Sequence, residues 1–172
     1  EPGDFRLTSY EWGVTYTGMF LAGDVTNDSR YTDYAAKRLL LISRLVSYYR
    51  NRIEGDLQIK TPVQSVLYPR ELDDAGAMCA ALLKAEQAGI HAELRPMIDN
   101  YIAHISNKQF RLDDGTLARN RPKPNTLWLD DLFMSVSALA QMGKSTAEPR
   151  YCDDAVRQVL QFSKRMFNTG EG

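Results

Sequence analysis

The same apolar stripe occurs three times in this chain, and that recurrence limits the fold more than any other feature. Ala35, Leu39, Ile42, Val46 and Tyr49 mark one helix face; Leu94, Ile98, Tyr101 and Ile105 repeat its i, i+4, i+7, i+11 steps, as do Ala155, Val159, Phe162 and Met166. Spacing of that kind is the mark of an amphipathic helix. The first positions of the stripes, Ala35, Leu94 and Ala155, lie 59 and 61 residues apart. Entry into the first and third also matches, because "SRYTDYA" from Ser29 and "PRYCDDA" from Pro149 share Arg, Tyr, Asp and Ala at a separation of 120. Self-similarity at a fixed long period is an internal repeat.

Another helical segment precedes each stripe, over about 9–23, 72–88 and 130–142, with Thr8 and Glu11 fitting a capping box at the first. The unit is therefore a helical hairpin. Helices 30–50, 92–106 and 152–167 should form one layer and the preceding segments the other. A period near 60 exceeds the roughly 34–47 residues of common helical solenoids, so a closed ring of inner and outer helices fits better. The connections at about 54–71 and 106–128 are long, and such loops usually carry function or are disordered. Within the second, the Asp-Gly of "FRLDDGTLAR" predicts a short β-ribbon near 109–119, with essentially no other sheet.

Composition excludes more than it assigns. A chain of 172 residues, 44% hydrophobic, can bury a core. Its net charge of −1 gives no electrostatic footprint for nucleic acid or an anionic membrane. No apolar run approaches membrane-spanning length and no signal-peptide pattern opens the chain. Glu1 in place of Met reads as a cut or matured chain, so that absence does not fix a compartment. Cys79 and Cys152 both fall inside apolar helical patterns and are expected to be buried free thiols. His91 and His104 have no ligand-spaced neighbours, so no zinc site is legible.

The chemistry concentrates where the long connections end. "PRELDDAGAM" at 69–78 and "TLWLDDLFM" at 126–134 each deliver Leu-Asp-Asp into the first turn of an inner helix. If the hairpins run in parallel, Asp73, Asp74, Asp130 and Asp131 share one mouth. Capping is one reading, since acids in a first turn are stabilised by about 0.3–1 kcal/mol, but it accounts for only one Asp of each pair. A magnesium-diphosphate site would need a further acid a turn later, where Leu132, Phe133 and Met134 stand. The third reading is a catalytic acid: adjacent carboxylates repel, and dry surroundings make one hold its proton to higher pH, as a proton donor near neutrality must.

Trp128, two residues before Asp130, could stack on the apolar face of a sugar. Trp12 and Tyr10 open the first inner helix and could approach the same mouth or pack in the core. Within 108–123, Lys108, Arg111, Arg119, Arg121 and Lys123 outnumber Asp113 and Asp114, an excess that suits an anionic sugar such as a uronate as well as it suits a solvated loop.

At "LWLDDLFM", with "LDDAGAM" upstream and "DGTLARNRP" between, the sequence resembles the unsaturated glucuronyl and rhamnogalacturonyl hydrolases, glycosyl hydrolase family 88/105. The likeness extends to the opening "EWGVTYTGMFLAG" and to "SRYTDYA". It implies an all-α fold, an (α/α)6 toroid of which a single domain over 1–172 would hold three hairpins, the N-terminal half. It implies an enzyme that removes the 4,5-unsaturated uronic sugar from the non-reducing end of polysaccharide-lyase products, needing no cofactor or metal. An Asp protonates C4, water adds at C5, and the resulting hemiketal opens and expels the aglycone. By match to the motif Asp130 is the general acid/base, Asp74 the second carboxylate with Asp73 as the alternative match, and Trp128 the stacking ring. Asp73, Trp12, Tyr10 and Arg119 are the further candidates for holding an unsaturated uronic oligosaccharide. Half a ring would self-associate or need its other half, and bacterial cytoplasm and periplasm both stay open as compartments. The rival from another class is a non-catalytic helical-repeat module, in which the Asp pairs are caps and the long loops bind a protein or carbohydrate.

Overall fold

The computed structural model describes residues 7–53, 60–90, 93–167 and 170. Among them run seven helices: α1 (Tyr10–Thr26), α2 (Ser29–Ile53), α3 (Gln64–Leu67), α4 (Leu72–Gln87), α5 (Arg95–Asn107), α6 (Leu129–Thr146) and α7 (Pro149–Met166). The fold is all-α. α1 packs on α2, α4 on α5 and α6 on α7, while α1, α4 and α6 lie side by side with α4 between the other two. The helical pairing read from the stripes is therefore the pairing observed. None of these helices is long and apolar enough to cross a membrane.

The central position of α4 follows from its composition. From Ala75 to Leu83 every residue is buried, and a helix apolar all round is stable only when covered on all sides. Two glycines set how near its neighbours come. A Cβ on Gly13 of α1 would collide with the backbone of Ala77, and one on Gly76 of α4 would collide with the backbone of Met134 in α6. Both contacts lie near the helix starts, so they draw the N-termini of the three inner helices together.

The repeat at 120 residues runs further than its sequence signature. Thr26 and Thr146 each bond a carbonyl one turn back, Ala22 at 2.6 Å and Met142 at 2.9 Å. The next residues, Asn27 and Ala147, both turn into the left-handed region at φ 53° and 57°. Asp28 and Glu148 then present their N–H groups to the same threonine hydroxyls at 3.4 and 3.3 Å. Identical turn geometry thus launches α2 and α7.

Three local expectations are corrected. The residue capping α1 is Ser9, without a side-chain cap bond; Thr8 instead meets the Ser65 hydroxyl at 2.7 Å, tying the start of α1 to α3. On α7 the buried frame is Tyr151, Ala155, Gln158 and Phe162, whereas Val159 and Met166 are exposed. Gln158 occupies an apolar frame position because it satisfies backbone groups of the ribbon. Both cysteines are free, Cys79 buried as expected and Cys152 exposed. His91 lies outside the described residues.

The ribbon forms, as two isolated antiparallel bridges, Arg111 with Leu117 and Arg119 with Thr126. Its turn closes with Gly115 at φ 84°, where a side chain would be strained. α7 grips that turn. Gln158 accepts from the Leu117 N–H at 2.8 Å and donates to the Gly115 carbonyl at 3.1 Å, and Arg111 bonds Asp154 at 2.7 and 3.1 Å. On the other side Gln109 donates to the Ala118 carbonyl at 3.0 Å and meets His104 of α5 at 3.3 Å. The next residue, Arg119, is thereby held over the starts of α4 and α6.

Candidate active site at the helix starts

Glu71 and Trp128 occupy the N-cap positions of α4 and α6, and neither makes a side-chain cap bond. The aspartates follow in the first turns, so none of them is the N-cap residue that the capping reading expected. They are nonetheless handled differently. Asp74 accepts the Arg70 N–H at 2.9 Å and is close enough to act electrostatically on Tyr101 and His104 of α5. Asp73 turns to the opposite side. Asp130 is exposed and accepts the Asp131 N–H at 3.1 Å, while Asp131 is only 1% exposed.

Arg119 joins these pieces. Its Nε and Nη2 donate to the two oxygens of Asp131 at 2.7 and 2.8 Å, and Nη2 also reaches both oxygens of Asp73 at 3.0 and 3.1 Å. Nη1 stands 3.7 Å from Glu71. The guanidinium lies over the Trp128 ring, 4.3 Å from its centroid, a cation–π distance. Arg121 adds an ion pair to Glu71 at 3.1 Å. Glu71, Arg119, Arg121, Pro122 and Trp128 line an open pocket of about 480 Å³.

Carboxylates outnumber arginines at this mouth, and burial is the main influence on the protonation of two of them. Burial pushes the Asp73 carboxyl above its ordinary value, with Asp130 and Glu71 pushing the same way and Arg119 pulling it back. Burial also pushes Asp131 up, against its hydrogen bonds from Arg119. Those bonds hold Arg119 firmly protonated. The Tyr10 hydroxyl is raised first by Glu11 and, from further off, by Asp73 and Asp130. The start of α1 meets α4 near the same helix ends, where Gly13 lies against the Ala77 backbone.

Of the residues singled out in the sequence, Asp73, Asp130, Trp128, Arg119 and Tyr10 are thus brought together. Asp74 faces away. Trp12 is half-buried, stacked on Tyr16 at 5.6 Å and packed against the core. The basic excess of 108–123 is largely consumed by acids, Arg111 by Asp154, Arg119 by Asp131 and Asp73, and Arg121 by Glu71. Glu71 was not among the site candidates, and Arg121 entered only as one cation of the basic stretch; the signal for Glu71 was its place beside Leu72-Asp73-Asp74. Among the described residues no group of three or more His, Cys, Asp or Glu is placed to hold a metal ion.

Carboxyls and an exposed aromatic ring at one mouth suit several chemistries, and the comparison with known families decides the class. The family model for Glycosyl Hydrolase Family 88 matches residues 4–172. The chain belongs to glycosyl hydrolase family 88. It is accordingly a glycoside hydrolase chain, and its substrate class is carbohydrate. No curated protein matches it. The Trp128 indole is 44% accessible at the edge of the pocket.

Proposed function

We propose that this family 88 chain removes the 4,5-unsaturated uronic sugar from the non-reducing end of polysaccharide-lyase products by hydrating its vinyl ether. The observation that carries the reading is Arg119, which binds Asp73 of α4 and lies over the Trp128 ring at the start of the helix that carries Asp130. Asp130 is exposed in the free chain rather than in dry surroundings; a sugar stacked on Trp128 would cover it, and from there it delivers a proton to C4. Positive charge then develops at C5, shared with the ring oxygen, and a water adds there as a carboxylate takes its proton. The hemiketal opens, the anomeric carbon becomes an aldehyde and the aglycone leaves as an alcohol.

Asp73 is the better second carboxylate, in place of Asp74. Arg119 ties it to Asp131 of α6, next to Asp130, whereas Asp74 bonds the Arg70 N–H ahead of its own helix. Tyr10 stands at the start of α1 beside this space, while Trp12 packs in the core. Asp130→Asn should keep the fold, since an amide oxygen still accepts the Asp131 N–H. Turnover, followed by loss of the double-bond absorbance, should fall by about 10²–10⁴. Wild-type-like turnover in that variant would remove Asp130 from the mechanism.

The three hairpins also read as an arc of an (α/α)6 ring. Val14, Leu21 and Val25 on α1 and Val156, Val159 and Leu160 on α7 are exposed apolar residues on the first and last hairpins. Contiguous apolar surface beyond a few hundred Å² usually seeks a partner, so the isolated chain should self-associate unless further hairpins cover those faces. Sedimentation as a stable monomer would contradict the arc.

A further inference from the structure

We infer that Arg119 is a positioning residue of this site: from the ribbon it fixes Asp73, Trp128 and the start of α6 in one arrangement, rather than receiving the carboxylate of the sugar. The inference rests on the proposed reaction and concerns how its parts are held. Arg119 is 8% exposed, and its Nε edge is spent on Asp131, itself buried. Nη2 is shared between Asp131 and Asp73, and Nη1 faces Glu71. One flat face covers the Trp128 indole. An incoming uronate would have to displace Asp131 or Asp73 and approach Glu71 and Asp130, which repel it.

Geometry makes the same point. The planar guanidinium bridges α4 and α6 through two carboxylates 58 positions apart in sequence, Asp73 and Asp131. Its anchorage runs back through Ala118, whose carbonyl is held by Gln109, to α5, and through Leu117 and Gly115 to Gln158 of α7. The ribbon therefore sets where Asp73 stands relative to the aromatic shelf. A lysine keeps the charge but cannot fork to two carboxylates and lie flat on an indole at once.

The test compares Arg119→Lys and Arg119→Met with wild type on an unsaturated uronyl disaccharide and on its carboxyl methyl ester. For a positioning residue, kcat should fall about 10²-fold on both substrates while KM stays within about threefold, the pattern of misplaced reacting groups. A raised KM with kcat preserved, confined to the substrate with a free carboxylate, would make Arg119 an anion contact and overturn the inference. Unchanged constants would overturn it equally. Absence of wild-type turnover would overturn the reaction instead, and Arg119 is then tested without turnover by carboxyl-carbon NMR of Asp73. The groups facing Asp73 are Arg119 on the ribbon, Glu71 ahead of α4, Asp130 on α6 and Tyr10 on α1. Arg119→Met should move the Asp73 titration upward, and Arg119→Lys, the variant to use if the first fails to fold, should move it the same way by less. An unmoved titration in a folded variant contradicts the inference.

Discussion

The two Leu-Asp-Asp entries share a sequence and a place in the helix, yet their carboxylates end in opposite situations. In α4 the first aspartate, Asp73, turns inward to Arg119 and the second, Asp74, turns back to the Arg70 N–H. In α6 the first, Asp130, is exposed and the second, Asp131, is buried and forked by the same arginine. Position in the first turn does not decide the difference. What decides it is which side of each helix faces the ribbon, since one guanidinium takes the first acid of one pair and the second acid of the other. The result leaves one aspartate from each helix at the mouth.

The largest effect should come from breaking the buried half of this arrangement. Asp131→Ala removes the principal partner of a buried arginine and should cost about 3–5 kcal/mol in denaturant unfolding, the usual span for breaking a buried pair, or the lower end of it because Asp73 still binds Arg119. A cost under about 1 kcal/mol, the scale of an exposed ion pair, would mean that Arg119 is held chiefly by other groups. Next comes the approach of the helices that makes the comparison possible. Gly76→Ala forces a methyl against the Met134 backbone and should destabilise by about 1–3 kcal/mol, with loss of turnover because α4 and α6 separate at the site. Asp74→Ala should cost only about 0.5–1.5 kcal/mol, one hydrogen bond to a backbone N–H.

The smallest effect is a difference in sign between the two ends of the ribbon. Burial raises Asp154, but hydrogen bonds from Arg111 and Gln158 outweigh it and hold the carboxyl below its ordinary value. Its contribution is present above the unfolded value of about 4 and is lost as pH falls through the lower folded value. Asp73 is raised by burial, so its contribution runs the other way, present below about 4 and lost as pH rises through its folded value. Unfolding midpoints across acid pH should therefore lose part of their acid sensitivity in Asp154→Asn. In Asp73→Asn they should lose part of the decline on raising the pH. The same slope change in both variants would refute the contrast.

Much of the fold was legible because buried faces repeat at helical spacing. Leu39, Ile42 and Val46, and Ile98, Tyr101 and Ile105, are all buried as their spacing required. The third stripe was misread at Val159 and Met166 because the frame position between Ala155 and Phe162 is the polar Gln158, which is buried only because Leu117 and Gly115 need it. The acidic pairs were legible as first-turn residues of α4 and α6, but not which Asp of each pair Arg119 binds. Asp73 and Asp74 differ by one step of about 100° around the helix axis, and nothing local says which step faces the mouth. That choice is made by Arg119, whose partners are 12 and 46 residues away. In the sequence Arg119 was one cation among several in a basic stretch.

The most direct test is turnover of Asp73→Asn against Asp74→Asn in the same assay, loss of double-bond absorbance on an unsaturated uronide. The account predicts that Asp73→Asn loses about 10²–10⁴ of the wild-type rate, as expected for a group that handles protons, while Asp74→Asn keeps most of it. Loss of turnover in Asp74→Asn with Asp73→Asn near wild type would reverse the assignment and contradict the division of the two pairs.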